Sequence, residues 1–230
     1  MFLRNRFVQK LGGGFLEQFA VRTWSRLLFR ALGSHKEKDV VKLLRKIQRE
    51  RKSLLTAFEA YLVYSVARAQ TKRPGDFAEV GVYAGASAKT ICEVKGGKTL
   101  HLYDTFEGLP PTSEKDAGVH RTGQYACSLE SVREYLQGYP DVHFHKGLFP
   151  ESAEGVEETT YAFAHFDVDL YESTMACLDY YYSRMNPGGI MLSHDYSLLD
   201  GVKAAFQEFF VDKTEEIIEL PTSQCMIVKL

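Results

Sequence analysis

Residues 77–90 read FAEVGVYAGASAKT, an apolar run that passes through Gly81 and Gly85 into small residues suited to a helix. A strand that turns into a helix through glycines lets the backbone approach a ligand closely, and unpaired N–H groups begin the helix. The spacing is not the GxGxxG of dinucleotide-binding turns, because Tyr83 stands where the middle glycine would be. Glu79 precedes the turn, and a carboxylate there repels pyrophosphate but suits a ligand carrying an ammonium group. S-adenosylmethionine carries such an amine beside its sulfonium. Alone, the stretch reads equally well as a glycine turn that only packs a helix on a sheet.

Outward from this stretch the hydrophobic period changes. Before Pro74 it is helical, over 15–31, 37–52 and 54–70, with Val40, Leu43, Leu44 and Ile47 on one face and Phe58, Tyr61, Leu62 and Val66 on another. Beyond Pro74, short apolar runs at Phe77–Val82, Thr99–Tyr103, Val142–His145, Ala162–Phe166 and Ile190–Ser193 are mostly separated by helix-length segments such as 128–136 and 173–184. That alternation predicts βαβ units and a parallel sheet covered by helices on both faces. The tail, Glu216–Leu220 and Cys225–Lys229 around Pro-Thr-Ser, reads as a hairpin-like pair on one edge. The expected fold is α/β: a Rossmann-like methyltransferase layout of seven strands, mostly parallel, with an antiparallel C-terminal strand and an N-terminal helical extension. Residues 1–75 form the extension and 76–230 the cofactor-binding catalytic domain.

The chain has 230 residues, 45% hydrophobic and 25% charged, enough for one large core with an appendage. No stretch approaches eighteen consecutive apolar residues, which excludes a transmembrane helix. Cys92, Cys127, Cys177 and Cys225 form no CxxC or Cys/His cluster, so the expectation is a reduced, cytoplasmic protein without structural zinc. Charge is lopsided: residues 1–73 hold 17 of the 28 Lys+Arg and 5 of the 30 Asp+Glu. The first account is that this basic part docks on its own acidic domain or on a second subunit, giving a homodimer. The alternative is contact with an anionic membrane surface or an acidic substrate, through MFLRNRFVQK and the stripe Arg22, Arg26, Arg30. Leu16, Phe19, Trp24, Leu27, Leu28 and Ala31 read as the packing face of the first helix.

Three further strand ends carry chemistry. LHLYDTFEGLP ends the second strand, and an acid such as Asp104 at that tip commonly accepts the hydroxyls of an adenosine ribose, although alone it also suits a cap or turn. HFDVDLYEST, residues 165–174, places Asp167 and Asp169 on one face. IMLSHDY offers His194 and Asp195 at the end of the fifth strand. Three carboxylates and an imidazole on neighbouring strand ends favour a divalent cation, magnesium, manganese or calcium by their oxygen content. His194 makes a more nitrogen-tolerant ion conceivable, or serves as a donor behind the ligands. Asp169 and Ser173 also read as caps of the next helix. His165, His143 and His145 are expected to be structural, and the Tyr180-Tyr181-Tyr182 run lies on a helix, partly in the core. No GxSxG, HExxH or P-loop occurs, and the basic region lacks an RNP-like or zinc-module pattern, so no nucleic-acid partner is expected.

The series EVGVYAGASA, LYDTFEGLP, HKGLFPES, FDVDLYEST and PGGIMLSHDY resembles the macrocin O-methyltransferase (TylF-type) family, in the same order over roughly residues 55–210. The resemblance implies S-adenosylmethionine as cofactor, magnesium, and methylation of a sugar hydroxyl on a glycosylated natural product or glycan. By position it implies that Glu79, Gly81, Gly85 and Ser87 lie along the methionine part and Asp104 on the ribose. Gly147, Leu148 and Phe149 approach the adenine, and Tyr83 and Thr105 complete the expected cofactor contacts. Asp167 matches a metal ligand that doubles as base. The family usually ends its fifth strand with two adjacent aspartates, and here the first is His194, which leaves Asp195 as ligand and puts the metal shell in question. The expected catalytic and metal-binding residues are therefore Asp167, His194 and Asp195, with a lid at 105–125 carrying His120, Arg121 and Tyr125. Two rivals remain: a metal-dependent methyltransferase of catechol-like diols, and a cofactor-binding protein without catalysis whose basic helices form an interaction module.

Overall fold

The computed structural model of the chain describes residues 15–116 and 118–230, with side chains from 19 onward. The run MFLRNRFVQK and the side chain of Leu16 lie outside the described residues. Three helices come first: α1 (Phe15–Gly33), α2 (Lys38–Glu50) and α3 (Ala57–Gln70). Then follow β1 (Asp76–Val80), α4 (Ala86–Cys92), β2 (Leu100–Asp104), α5 (Leu129–Tyr135), β3 (Val142–Lys146), β4 (Tyr161–Phe166), α6 (Tyr171–Tyr182), β5 (Met185–Ser193), α7 (Asp200–Phe209), β6 (Ile218–Glu219) and β7 (Cys225–Val228).

The seven strands form one sheet in the order β3-β2-β1-β4-β5-β7-β6. The first five run parallel, and β7 runs antiparallel to both β5 and β6. This is the Rossmann-like α/β layout expected from the period change. Every residue of β4 is buried, as a central parallel strand covered on both faces requires. One face packs Tyr103, Tyr161, Phe166, Leu178, Tyr181 and Phe206. The other packs Phe77, Ile91, Leu102, Phe163 and Leu192 with Val63 and Ala67 of α3. β5 begins five residues before its apolar run, because Asn186–Gly189 forms a register shift between Tyr161↔Met185 and Phe163↔Ile190.

The helical region departs from expectation in two ways. Leu55, Val63 and Ala67 share the core of the sheet, so the predicted boundary near residue 75 does not coincide with a break in packing. On α1 the packed side is Ser25, Phe29 and Leu32, whereas Trp24 and Leu27 are more than half exposed, as is Phe19. Ala31 is exposed too, and of the expected face only Leu28 joins the packing against α2 and α3. A stripe wide enough to cover both sets exceeds what one partner surface can bury. Among the described residues, the ion pairs from this region to the sheet put the acid on the helical side: Glu50 with Lys89, and Glu59 with His194. Apolar burial, rather than basic-on-acidic docking, accounts for the attachment. Arg22 instead reaches the carbonyls of Gln48 and Arg49 at the C-terminus of α2, where a cation meets the helix dipole. Among the described residues no helix is long and apolar enough to cross a membrane.

Candidate active site

Strand order reverses between β1 and β4, and at that point a cavity of about 690 Å³ opens at the carboxyl ends of all five parallel strands. Val80, Asp104, Gly147, Asp167 and His194 each follow or end one of those strands and line it. The turn after β1 needs glycine at 81, which has φ +86°, because a Cβ there would collide with the Asp167 carbonyl where β4 passes. Gly85, at φ +81°, starts α4, and a Cβ would sit 3.0 Å from Val132 Cγ1. Asp104 ties the turn together: its Oδ2 accepts from the N–H groups of Val82 (2.7 Å) and Tyr83 (2.9 Å), and its Oδ1 from Phe106 (2.7 Å). A carboxylate accepts about four hydrogen bonds, which leaves room for a ligand hydroxyl.

Across the cavity lies a cluster built by β4 and β5. The Asp167 N–H bonds the Val80 carbonyl at 2.9 Å, and the His194 N–H bonds the Phe166 carbonyl at 2.8 Å, so both chain ends stay in register beyond the strands. Asp169 (φ 61°) and Asp195 (φ 57°) then take left-handed conformations, sparsely populated by residues other than glycine, which turn their carboxylates back toward the same point. His194 Nδ1 lies 3.4 Å from Asp167 Oδ1 and 3.1 Å from Asp195 Oδ2, and its Nε2 lies 3.5 Å from Glu59 Oε2. Neither ring nitrogen meets hydrogen-bond geometry with a protein group.

The charges in this cluster control one another. Burial opposes a charged His194, but Asp195, Asp167 and Glu59 outweigh it and raise the imidazole well above its ordinary range. Burial raises Asp167, only partly offset by His194, and it raises Asp169 further with help from Asp195 and Asp167. Burial also works on Asp195 and Glu59, yet His194 prevails and both lie below the usual carboxylate range. Asp167, His194 and Asp195 bring three donor atoms within 4.8 Å of one another. Two carboxylates and an unsatisfied buried imidazole in that arrangement fit a divalent cation.

Of the other expected residues, Gly81, Tyr83, Ser87, Thr105, Leu148 and Phe149 line the cavity with Asp104, Gly147, Asp167, His194 and Asp195, whereas Gly85 is absent from its wall and faces Val132 at the start of α4. Phe149 stacks on Tyr181 at 5.5 Å and meets Tyr103 edge-on, which fixes the far wall. Glu79 is a correction to the expected cofactor contact. It is fully buried, is absent from the cavity wall, and accepts from His165 Nδ1 at 2.9 Å, because strand alternation turns it toward the α4 side of the sheet. His165 is thus structural, and His143 and His145 stack with His101 away from the cavity.

Asp169 and Ser173 line the cavity and do not cap α6, whose N-cap Leu170 has no side-chain bond. The cap comes from the loop instead, with Asp116 Oδ1 accepting from the Tyr171 N–H at 2.7 Å. Asp116 Oδ2 also accepts from the Ser113 N–H and hydroxyl, which braces this part of the loop against the start of α6. Leu109, His120 and Tyr125 from that loop line the cavity, but Arg121 is exposed outside it.

The larger surprise is on the helical side. Ala20, Val21, residues 52–56 and Glu59 close the cavity, together with Thr222 and Ser223 before β7. Glu59 belongs to a capping box with Thr56 and accepts from Ser223 Oγ at 2.7 Å, 164 residues away. The pattern Thr56-x-x-Glu59 was the one sequence signal for it, and it points to a helix start rather than to a site.

Residues 58–224 match the family described as macrocin O-methyltransferase (TylF). A relative from Streptomyces olivaceus, 8-demethyl-8-(2,3-dimethoxy-alpha-L-rhamnosyl)-tetracenomycin-C 4'-O-methyltransferase, is 30% identical over 59% of this chain and 58% of its own. The chain spans about three fifths of the length of the curated relatives it matches. Among solved structures, the O-methyltransferase NovP superposes with TM-score 0.68 at 24% identity, covering 77% of this chain and 81% of that one. An O-methyltransferase from Bacillus cereus in complex with SAH superposes with TM-score 0.60 at 13% identity, covering 91% and 100%. At these identities the structural likeness concerns the fold.

Proposed function

The chain belongs to the macrocin O-methyltransferase (TylF) family, and from that premise we propose that it transfers the methyl group of S-adenosylmethionine to a sugar hydroxyl of a glycosylated small molecule. The observation that carries the reading is one cavity with the glycine turn and Asp104 on one side and Asp167, His194 and Asp195 on the other. The rhamnosyl acceptor named for the Streptomyces olivaceus relative supports a sugar over a catechol-like diol.

Each part of the wall has a task. The backbone of residues 81–84 and Ser87 receive the methionine end, the remaining acceptor capacity of Asp104 takes a ribose hydroxyl, and Gly147, Leu148 and Phe149 flank the adenine. The acceptor enters between loop 105–125 and the 52–56 segment, whose Leu54 and Leu55 with Leu109 and Leu198 exclude water from the reacting centre. An alcohol is a weak nucleophile near neutral pH and needs a group to take its proton. Asp167 does so: burial makes it the more basic carboxylate beside Asp195, and it stands at the strand end nearest the glycine turn. A divalent cation held by Asp167, Asp195 and His194 would acidify the hydroxyl and orient it.

The test is calorimetric titration of S-adenosylhomocysteine, followed by incubation with S-adenosylmethionine, a divalent salt and rhamnosylated acceptors. Expected are saturable one-site binding and a mass gain of one methylene unit on the sugar. A folded chain that binds no S-adenosylhomocysteine would sink the reading, and methylation of catechols alone would move it to the other acceptor class.

A further inference from the structure

We propose that Glu59 is the positioning residue of a nitrogen-containing metal site: it holds the imidazole of His194 so that Nδ1 joins Asp167 and Asp195 around a divalent transition ion, taken in preference to magnesium. Glu59 is 5% exposed and immobilised from both sides. Its Oε2 accepts from the Thr56 N–H (2.7 Å) and hydroxyl (2.8 Å), and its Oε1 from the Ser223 hydroxyl (2.7 Å) and N–H (3.3 Å). A carboxylate so placed faces Nε2 of His194 at 3.5 Å and favours a proton on that nitrogen. With a cation bound between them, Nδ1 would be the lone-pair nitrogen that joins Asp167 and Asp195. His194 is 7% exposed, and neither nitrogen is satisfied by the protein, which a merely structural histidine avoids.

A carboxylate behind a ligating imidazole fixes the tautomer and the direction of the ring, and its loss typically weakens metal binding about 10–100-fold. The donor type sets the ion: oxygen-only shells suit magnesium, whereas imidazole suits iron, cobalt, nickel and zinc. Glu59 lies on α3, so the helical region before the sheet completes a site that the strand ends begin. That gives the segment a chemical task beyond covering the cavity. The inference rests on reading the cavity as a methyl-transfer site, and the experiment separates the two.

Cobalt(II) is titrated into the whole chain, without methyl donor or acceptor, and followed by visible absorption, with S-adenosylhomocysteine binding measured in parallel. One saturable cobalt site is expected in the wild type, resistant to about a tenfold excess of magnesium. Glu59→Gln is expected to lose about 10–100-fold in cobalt affinity while still binding S-adenosylhomocysteine. In His194→Asp, an oxygen-only shell, magnesium displaces cobalt and Glu59→Gln no longer weakens binding, because Glu59 acts through the imidazole. Unchanged cobalt affinity in Glu59→Gln, displacement by magnesium in the wild type, or no cobalt binding by a chain that binds S-adenosylhomocysteine would each overturn the inference. Failure to bind either ligand overturns it together with the proposed function. If circular dichroism shows Glu59→Gln unfolded, Ser223→Ala frees the same carboxylate on one side. A smaller loss of cobalt affinity there supports the site, and an unchanged affinity refutes it.

Discussion

Among the described residues two glutamate–histidine pairs are buried, Glu79–His165 and Glu59–His194, and they are built from the same chemistry for different ends. The first joins neighbouring positions of β1 and β4, both side chains fully buried, with Nδ1 and Oε1 at 2.9 Å. The second joins α3 to the end of β5 across a wider 3.5 Å, and its imidazole turns the other nitrogen toward two aspartates on a cavity wall. A buried polar pair is structural when its partners face only each other and the core. It becomes a site when one partner keeps an unused direction that points at solvent-accessible charge.

The sharpest test of that distinction removes the charge at the cavity and leaves both pairs intact. Asp167→Asn is expected to reduce methyl transfer by about 100- to 10,000-fold, the usual worth of a positioned base. Stability is expected to hold or rise slightly, because Asp167 is a half-buried carboxylate beside Asp195 and Asp169. Initial rates with radiolabelled donor and urea midpoints check the two halves. A large loss of stability with the rate preserved would invert the assignment.

The core pair should behave in the opposite way. Glu79→Ala leaves His165 buried without its partner, and the expected cost is about 3–5 kcal/mol, read as a fall in the urea midpoint. Replacing both residues by leucine is expected to recover part of that loss, since an apolar pair leaves no unpaired group. If the double variant is worse than Glu79→Ala, the pair does more than fill the core.

How much of this was legible in the sequence follows from the range of the contacts. The change of period at Pro74, the glycine turn and the strand-end residues Asp167, His194 and Asp195 are local patterns, and alternation along a strand plus the switch point of the sheet place them at one cavity. Glu59 was hidden because its sequence neighbourhood describes a helix cap, and its partners His194 and Ser223 are brought to it by packing alone. Glu79 failed for a related reason. The motif position suggests a ligand contact, but the same alternation that exposes Val80 to the cavity turns Glu79 inward to His165. On α1, helical periodicity is compatible with several faces, and only the placement of α2 and α3 selects Phe29 and Leu32 over Trp24 and Leu27.

A third histidine group extends the comparison to one without a carboxylate in command. His145 Nε2 meets His101 Nδ1 at 3.1 Å, and burial, with His101 and His143 adding to it, pushes His145 down to about 4. His101 is lowered as well, by burial against the pull of Asp76. A histidine depressed in the folded state stabilises it fully above the unfolded value near 6.5 and loses that contribution as pH falls toward about 4. His194 has the opposite sign, since its raised pKa keeps its contribution intact below the unfolded value near 6.5 and loses it only as pH rises through the folded one. Acidification from pH 7 to 4.5 is therefore expected to cost about 1–2 kcal/mol from His145, after discounting for its partial exposure. In His145→Gln the urea midpoint should fall less over the same interval. An identical slope would assign the acid sensitivity elsewhere.

The smallest effect isolates the cap from the site it adjoins. Thr56→Ala removes the hydroxyl that accepts from the Glu59 N–H at 3.4 Å and donates to Glu59 Oε2 at 2.8 Å. The loss of such a cap costs about 1 kcal/mol, and Thr56→Ser, which keeps the hydroxyl, should cost only a fraction of that. Glu59 retains its bonds from Ser223, so it stays buried and continues to face His194 in the alanine variant. Stability should therefore drop while S-adenosylhomocysteine binding persists. If binding falls with the cap, α3 holds the cavity through its backbone position. If only stability falls, Glu59 is the point at which the helix and the site meet.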